Sequence, residues 1–462
     1  MATQYVSEHI VRSYFTDAMS HMYREEVPAY AGLVDLVDEV NDRVLAGNLD
    51  LASQIESEGG QETLRAERHG AIRIGKAEEL NILRRAFAIM GMFPVGYYDL
   101  SVAGLPVHST AFRPVKADAL AENPFRVFTS LLRLERIEDD ELRAVAEEIL
   151  SERQIVSDRA VELIEQAEKQ NGLTRADARE FVAEMLETFR WHSTANVDHK
   201  TYQKLKSQHP LIADIVSFKG PHINHLTPRV LDIDAAQAMM PEKGLNPKET
   251  IEGPPLRKSA ILLRQTAFKA LTEKVEFPDQ QGASDAGEHT ARFGEIEQRG
   301  VALTAKGRGL YDELLANAKN RASSGDGLYE DLLVEEFSKF PDGWDELREQ
   351  ELAYFSYILK VVPSCEGKIE PGASFDLKQL IADGVIEAKP ITYQDFLPVS
   401  AAGIFRSNLS SDDSDLYASD SNQEQFEKDL GTAVLDPFEL YEKQQLASIR
   451  ECQDRFMNVL AE

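Results

Sequence analysis

The sequence predicts an α+β fold in which two βαβββ modules form one cupped central sheet, surrounded by helical N-terminal, inserted and C-terminal regions. Three observations predict it. A helix-period opening gives way near Glu67 to segments with strand character. The order strand, helix, strand, strand, strand then occurs twice, at 67–137 and at 219–303. The stretch between the two blocks, 138–218, carries three helical stripes. A chain of 462 residues, 43% of them hydrophobic, can bury a core of this size.

In chain order, residues 1–66 place apolar residues at helical spacing in "SEHIVRSYFTDAMSHMYREE" and "LVDLVDEVNDRVL". "ERHGAIRIG" reads as a strand. "KAEELNILRRAFAIMG" reads as a helix with Leu80, Leu83, Phe87 and Met90 on one face and Gly91 as its stop. "PVGYYDLSV" and "PVHSTAFRPV" are strands separated by Gly104, and "FRVFTSLLRLERI" is the fourth. In the insertion, Ser157 and Thr174 are the expected N-caps. The second block reads as a strand, "PHINHLTPRVL", and a short helix, "DIDAAQAMMPEKG". Three strands follow: "AILLRQTAFKA", "EKVEF" and "TARFGEIEQRG". The region 304–462 is mixed. "DLLVEEF" and "DELREQELAYFSYIL" read as helices, and the acidic tract "SSDDSDLYASDSNQEQ" as a solvated loop or lid.

The net charge of −29 argues against a nucleic-acid or anionic-membrane partner. Two cysteines, Cys365 and Cys452, imply neither a disulfide framework nor a thiolate metal site. The start lacks a basic and apolar leader pattern, and no long apolar run occurs, so a cytoplasmic protein is expected.

Alternate residues of a strand share a face. This puts His69, Ala71 and Arg73 together on the first strand of block one, and Ile223, His225 and Thr227 together on the first strand of block two. Phe293, Glu295 and Glu297 share a face of the last strand. Should the two blocks form halves of one sheet, His69, His225 and one glutamate converge. Two histidines and a carboxylate on one side of a metal leave positions open, as in non-haem Fe(II) oxygenases. A divalent cation also accounts for a carboxylate inside a strand, where burial otherwise costs heavily. His222 and His289 rival the two histidines, and Glu297 rivals Glu295.

Two βαβββ blocks with ligands on first and last strands resemble the vicinal oxygen chelate superfamily. "FGEIEQRG" resembles the iron-binding strand of 4-hydroxyphenylpyruvate dioxygenase, in which the first glutamate is the ligand; that favours Glu295. Over nearly its full length, the chain resembles the 2-oxoadipate dioxygenase/decarboxylase (hydroxyglutarate synthase) family. "ERHGAIRIGKAEEL", "HINHLTPR", "ARFGEIEQRG" and "DFLPVSAAGIFRSNL" carry that resemblance. It implies that 2-oxoadipate and O₂ become 2-hydroxyglutarate and CO₂, a step of lysine catabolism. It further implies Fe(II) on His69, His225 and Glu295, a substrate carboxylate on Arg73, and a pocket closed by Val399 and Ser400 in the C-terminal region.

An always-charged, forked guanidinium suits carboxylate recognition. The plainer role of Arg73 is an ion pair with an acidic neighbour. Two other functions fit the same fold: a glyoxalase-type lyase or isomerase with a redox-inert metal, and a non-catalytic ligand-binding protein.

Overall fold

Strand β1 (Arg68–Ile74) is buried along its whole length and lies inside a five-stranded sheet. The other strands are β2 (Phe93–Asp99), β3 (Val107–Arg113), β4 (Arg126–Leu132) and β5 (His225–Pro228), in the order β2-β3-β4-β1-β5. β1 runs parallel to β4; the neighbours β2–β3, β3–β4 and β1–β5 are antiparallel. The computed structural model describes residues 5–278, 284–360, 375–397 and 420–461. The chain forms two compact units. The first comprises Met1–Glu252, Gln265–Gln298 and Asp395–Leu435; the second comprises Gly253–Arg264, Arg299–Gln394 and Asp436–Glu462.

The first unit opens with four helices, α1 (Glu8–Glu26), α2 (Pro28–Gly47), α3 (Leu49–Ser57) and α4 (Gly60–Ala66). Block one follows as expected: β1, helix α5 (Ala77–Ile89), β2, β3, a short helix α6 (Ala117–Glu122), and β4. Leu80, Leu83 and Phe87 of α5 are buried, and Gly91 past its end takes φ +66°, a left-handed stop. The core joins α1, α5 and the sheet through aromatic edges: Phe15 meets Phe125 and Phe189 at ring distances of 5.9 and 5.3 Å.

The insertion holds five helices, α7 (Asp140–Glu152), α8 (Asp158–Gln170), α9 (Arg175–Glu187), α10 (His199–Gln208) and α11 (Pro210–Ser217). Ser157 and Thr174 cap α8 and α9 by accepting from the backbone N–H of Ala160 and Asp177.

The second block starts antiparallel to the first: His69 sits opposite Thr227, and Ala71 opposite His225. Helix α12 (Ile233–Met239) follows, then residues 247–252, which make two antiparallel bridges, Glu252 to Gln265 of β6 (Leu263–Ala267) and Pro247 to Phe268 just past it. β6 pairs in turn with β9 (Glu295–Arg299), and Arg229 bridges Glu297 in parallel, as β1 runs parallel to β4. The expected assignment needs correction here. "EKVEF" is not a strand of this sheet. It belongs to a separate hairpin, β7 (Thr272–Pro278) with β8 (Ser284–Thr290), set between β6 and β9. "TARFGEIEQRG" is therefore broken: its start ends the hairpin, and regular pairing resumes at Glu295. The break falls at residues 291–294. A Cβ on Gly294 would overlap the Phe268 ring, and Arg292 turns aside to ion-pair with Glu26 and Glu273.

In the second unit, α13 (Ala305–Ser323), α14 (Tyr329–Phe337) and α15 (Trp344–Glu349) lead to β10 (Phe355–Leu359). "DELREQELAYFSYIL" is thus half helix and half strand; Glu351, at φ +56°, marks the change. After α16 (Leu377–Ala382), β11 (Ile386–Pro390) pairs antiparallel with β10. Leu359, Val385, Ile386, Cys452 and Phe456 form a small core there, with helix Pro437–Ala461 supplying the last two.

Of the acidic tract, residues from Asp420 onward begin the helix Asp420–Leu430 rather than a loop. Phe426 and Leu430 anchor it, the former 4.7 Å from the His108 ring. The rest of the tract lies outside the described residues. Among the described residues, no helix is long and apolar enough to cross a membrane.

Candidate metal centre

β1, β5 and β9 bring His69, His225 and Glu295 together, all fully buried. Their ligand atoms lie within 4.8 Å of one another. His69 Nε2 is 3.1 Å from Glu295 Oε1, and His225 Nε2 is 3.9 Å from the same oxygen. The edge-on imidazoles are 5.4 Å apart. The alternation read from the sequence holds on β9, where Glu295 and Glu297 both face His69; Phe293, just before the strand, covers His225 at 4.8 Å. Tyr23 of α1 fixes the approach to both strands by donating to the carbonyls of Asn224 and Phe293.

Hydrogen-bond accounting shows what the cluster lacks. Both ring nitrogens of His69, both of His225, and Glu295 Oε2 are buried without an aligned hydrogen bond. His69 has a carboxylate oxygen near each nitrogen, with Glu297 Oε2 2.8 Å from Nδ1. A neutral imidazole has one N–H, so it can donate to one carboxylate only. With Nδ1–H serving Glu297, the Nε2 lone pair faces Glu295 at 3.1 Å. Two lone pairs at that spacing repel, unless a proton or a metal cation lies between them. Neighbouring ligand atoms around an ion with bonds of about 2.1 Å are about 3 Å apart, so the spacing fits. The donor set can hold a metal ion.

The surroundings support such a role. Gln265 Nε2 and Thr227 Oγ1 donate to Glu295 Oε1 at 2.8 and 3.1 Å, fixing the carboxylate with that oxygen toward both histidines. Glu297 accepts from Arg126, which also donates to Glu67, and Arg229 donates to Glu67 in turn. This buried chain holds Glu297 in place beside His69 Nδ1. Phe396 covers His69 edge-on at 4.9 Å and meets Phe128 at 5.3 Å. Charges follow this layout. Burial, then the charges of His69 and Arg73, hold His225 well below the usual imidazole range. For His69, burial pulls down, but Glu297 and Glu295 outweigh it and raise the ring. Burial pushes Glu295 up.

Arg73 lies on the same strand as His69, and its Nη1 donates to Asp214 Oδ2 of α11 at 2.7 Å. The rival histidines are elsewhere. His289 Nε2 is 2.8 Å and His222 Nε2 3.4 Å from Asp214 Oδ1, forming a second buried cluster. Val399 and Ser400 lie outside the described residues. Sequence reasoning missed Gln265, Phe396 and Asp214. Only Asp214 left a signal, as the lone carboxylate in the fully buried run Leu211–Ser217.

The fold and the site define a two-module sheet protein with a buried His–His–Glu set that could hold a metal ion at the junction of its modules. The sequence pattern of 2-oxoadipate dioxygenase/decarboxylase matches residues 15–408. A 2-oxoadipate dioxygenase/decarboxylase of Pseudomonas putida is 52% identical over 456 residues, 98% of each chain. One of Escherichia coli is 54% identical over 445 residues, 96% of this chain and 97% of its own. The crystal structure of the Pseudomonas putida hydroxyglutarate synthase in complex with 2-oxoadipate matches with a TM-score of 0.91 and 50% identity. That match covers 98% of this chain and 100% of the other. The chain belongs to the 2-oxoadipate dioxygenase/decarboxylase family.

Proposed function

We propose that this chain converts 2-oxoadipate and O₂ to 2-hydroxyglutarate and CO₂, with Fe(II) held by His69, His225 and Glu295, as a cytoplasmic step of lysine degradation. The observation that carries the reading is the set of unsatisfied, buried atoms on those three side chains, in a chain of this family. Fe(II) held by these three residues would supply Lewis acidity toward a 2-oxo acid and the redox chemistry of O₂ activation.

The protein's own groups do the rest. Glu297 keeps His69 in the tautomer that offers Nε2 inward. Gln265 and Thr227 hold Glu295 by Oε1, the oxygen that faces both histidines, and so fix the carboxylate for the metal. Phe293 and Phe396 cover the histidines with apolar surface, and Phe128 backs Phe396, which helps exclude water. Arg73 binds a carboxylate of the dianionic substrate, a needed local positive charge in a chain of net charge −29. The family resemblance gives pocket closure to Val399 and Ser400, which lie outside the described residues. Phe396, three residues before Val399, supports this by packing on His69.

The test is oxygen uptake, CO₂ release and 2-hydroxyglutarate formation when 2-oxoadipate meets the Fe(II)-loaded protein. Full turnover under strict anaerobiosis would make it a glyoxalase-type lyase or isomerase instead. Tight ligand binding with no turnover and no metal uptake would make it a binding protein.

A further inference from the structure

We infer that Asp214 is a positioning residue for Arg73, a buried carboxylate seat that sets where the guanidinium meets the substrate. The inference rests on the reading of Arg73 as a substrate-binding group. Asp214 is itself fully tied. Its Oδ2 accepts from Arg73 Nη1 at 2.7 Å. Its Oδ1 lies 2.8 Å from His289 Nε2 and 3.4 Å from His222 Nε2. Behind His289, the Tyr202 hydroxyl is 2.9 Å from Nδ1, and the Trp191 ring stacks parallel at 5.9 Å. Asp214 and Tyr202 come from the helical insertion, and His289 from the β7–β8 hairpin. Neither element belongs to the βαβββ pattern. Both converge on one arginine of β1.

The residue types of this cluster suit a metal, but its atoms are committed otherwise. A divalent ion among Asp214, His222 and His289 would face the Arg73 guanidinium across one carboxylate, a like-charge arrangement. The cation seated here is the guanidinium. An arginine on a strand has several rotatable bonds, and recognition of a short diacid needs its fork in one place. A carboxylate held on its far side by two imidazoles provides that fixed point.

Positioning and simple charge compensation predict opposite signs. If Asp214 only attenuates the charge of Arg73, Asp214→Asn strengthens attraction for a dianion and lowers KM. If it positions Arg73, the same change raises KM. The experiment is steady-state kinetics on the Fe(II)-loaded enzyme with 2-oxoadipate, for wild type, Asp214→Asn, Arg73→Lys, the double variant and His289→Gln, with bound iron measured in each. Positioning predicts a KM rise of about 10-fold or more in Asp214→Asn, bound iron unchanged, and a double variant no worse than Arg73→Lys alone. His289→Gln keeps both charges of the pair and loosens only its anchor, so a rise of about 2- to 5-fold is expected. This milder variant decides the matter if Asp214→Asn does not fold. An unchanged or lowered KM in Asp214→Asn, or penalties that multiply in the double variant, overturns the inference; so does an unchanged KM in His289→Gln. An unchanged KM in Arg73→Lys defeats the underlying reading of Arg73 instead.

Discussion

His69, His225 and Glu295 share their chemistry with His222, His289 and Asp214: two imidazoles and one carboxylate, all buried, within one compact unit. What separates the clusters is their hydrogen-bond accounting. In the second, Asp214 meets Arg73 and both imidazoles, His289 also meets Tyr202, and Asn224 lies 3.2 Å from His222. In the first, five buried side-chain atoms have no aligned partner. Leaving buried polar atoms unsatisfied costs about 1–3 kcal/mol each, so a fold retains such a set where something else satisfies it. Residue types nominate a metal site; unmet valence picks it out.

The sharpest way to break that comparison is to remove one imidazole from each cluster. His69→Ala or His225→Ala should weaken Fe(II) binding by at least about 100-fold, since two protein ligands seldom retain an ion that three hold. Glu295→Ala should do the same. His222→Ala and His289→Ala should bind iron like wild type. Equilibrium iron titration checks this, with circular dichroism to confirm folding. Iron loss in the His222 or His289 variants would mean that the clusters act as one site.

Glu297→Gln sharpens the comparison within the first cluster. The amide still accepts from His69 Nδ1–H, so the protein should take up iron at excess metal. The lost charge should lower affinity by about 10- to 100-fold, as for other outer-shell carboxylates. Loss of iron as complete as in Glu295→Ala would exchange the roles of the two glutamates.

Much of the first cluster was legible in the sequence. Period-two alternation is a local rule, and it put His69 with Arg73 and Glu295 with Phe293 on the correct faces. The second cluster was hidden, because its organising contact joins residues 141 apart in sequence, on a strand and a helix. The β7–β8 hairpin was misplaced for a related reason. A strand that leaves the sheet has the same local pattern as one that stays, and only Gly294 hinted at the break. The acidic tract shows a third limit. Its polar composition outweighed Phe426 and Leu430, which lie beyond its end and tie the helix down.

Acid sensitivity gives a smaller contrast. Burial would raise Asp214, but His222, Arg73 and the hydrogen bonds of the two imidazoles outweigh it and hold the carboxyl well below the usual range. Its folded pKa is depressed, so its contribution to stability is complete above the ordinary value near 3.9 and is lost as pH falls through the folded value. Urea denaturation should therefore show Asp214→Asn less stable than wild type at neutral pH, by about 3–5 kcal/mol for a broken buried pair. The gap should narrow below about pH 4. A gap independent of pH would show that Asp214 contributes through packing rather than charge.

The smallest expected effect belongs to Tyr202→Phe. Burial, then the charge of Asp214, pushes the Tyr202 hydroxyl up to about 12, so it stays protonated and able to donate to His289 Nδ1. That donation leaves the ring proton on Nε2, where it serves Asp214 Oδ1. Phenylalanine keeps the ring and its packing on Phe277, 4.8 Å away, and removes only the tautomer's outer lock. The loss should be about 0.5–1.5 kcal/mol of stability, the net worth of one hydrogen bond. KM for 2-oxoadipate should change less than in His289→Gln, because the imidazole that touches Asp214 is still present. Bound iron should not change, because the hydroxyl is tied to the cluster whose cation is a guanidinium. Denaturant titration, kinetics and iron content on this one variant separate the three quantities. An iron deficit here would erase the distinction between the two clusters more decisively than any stability loss, since it would couple the metal to a hydroxyl that touches none of its ligands.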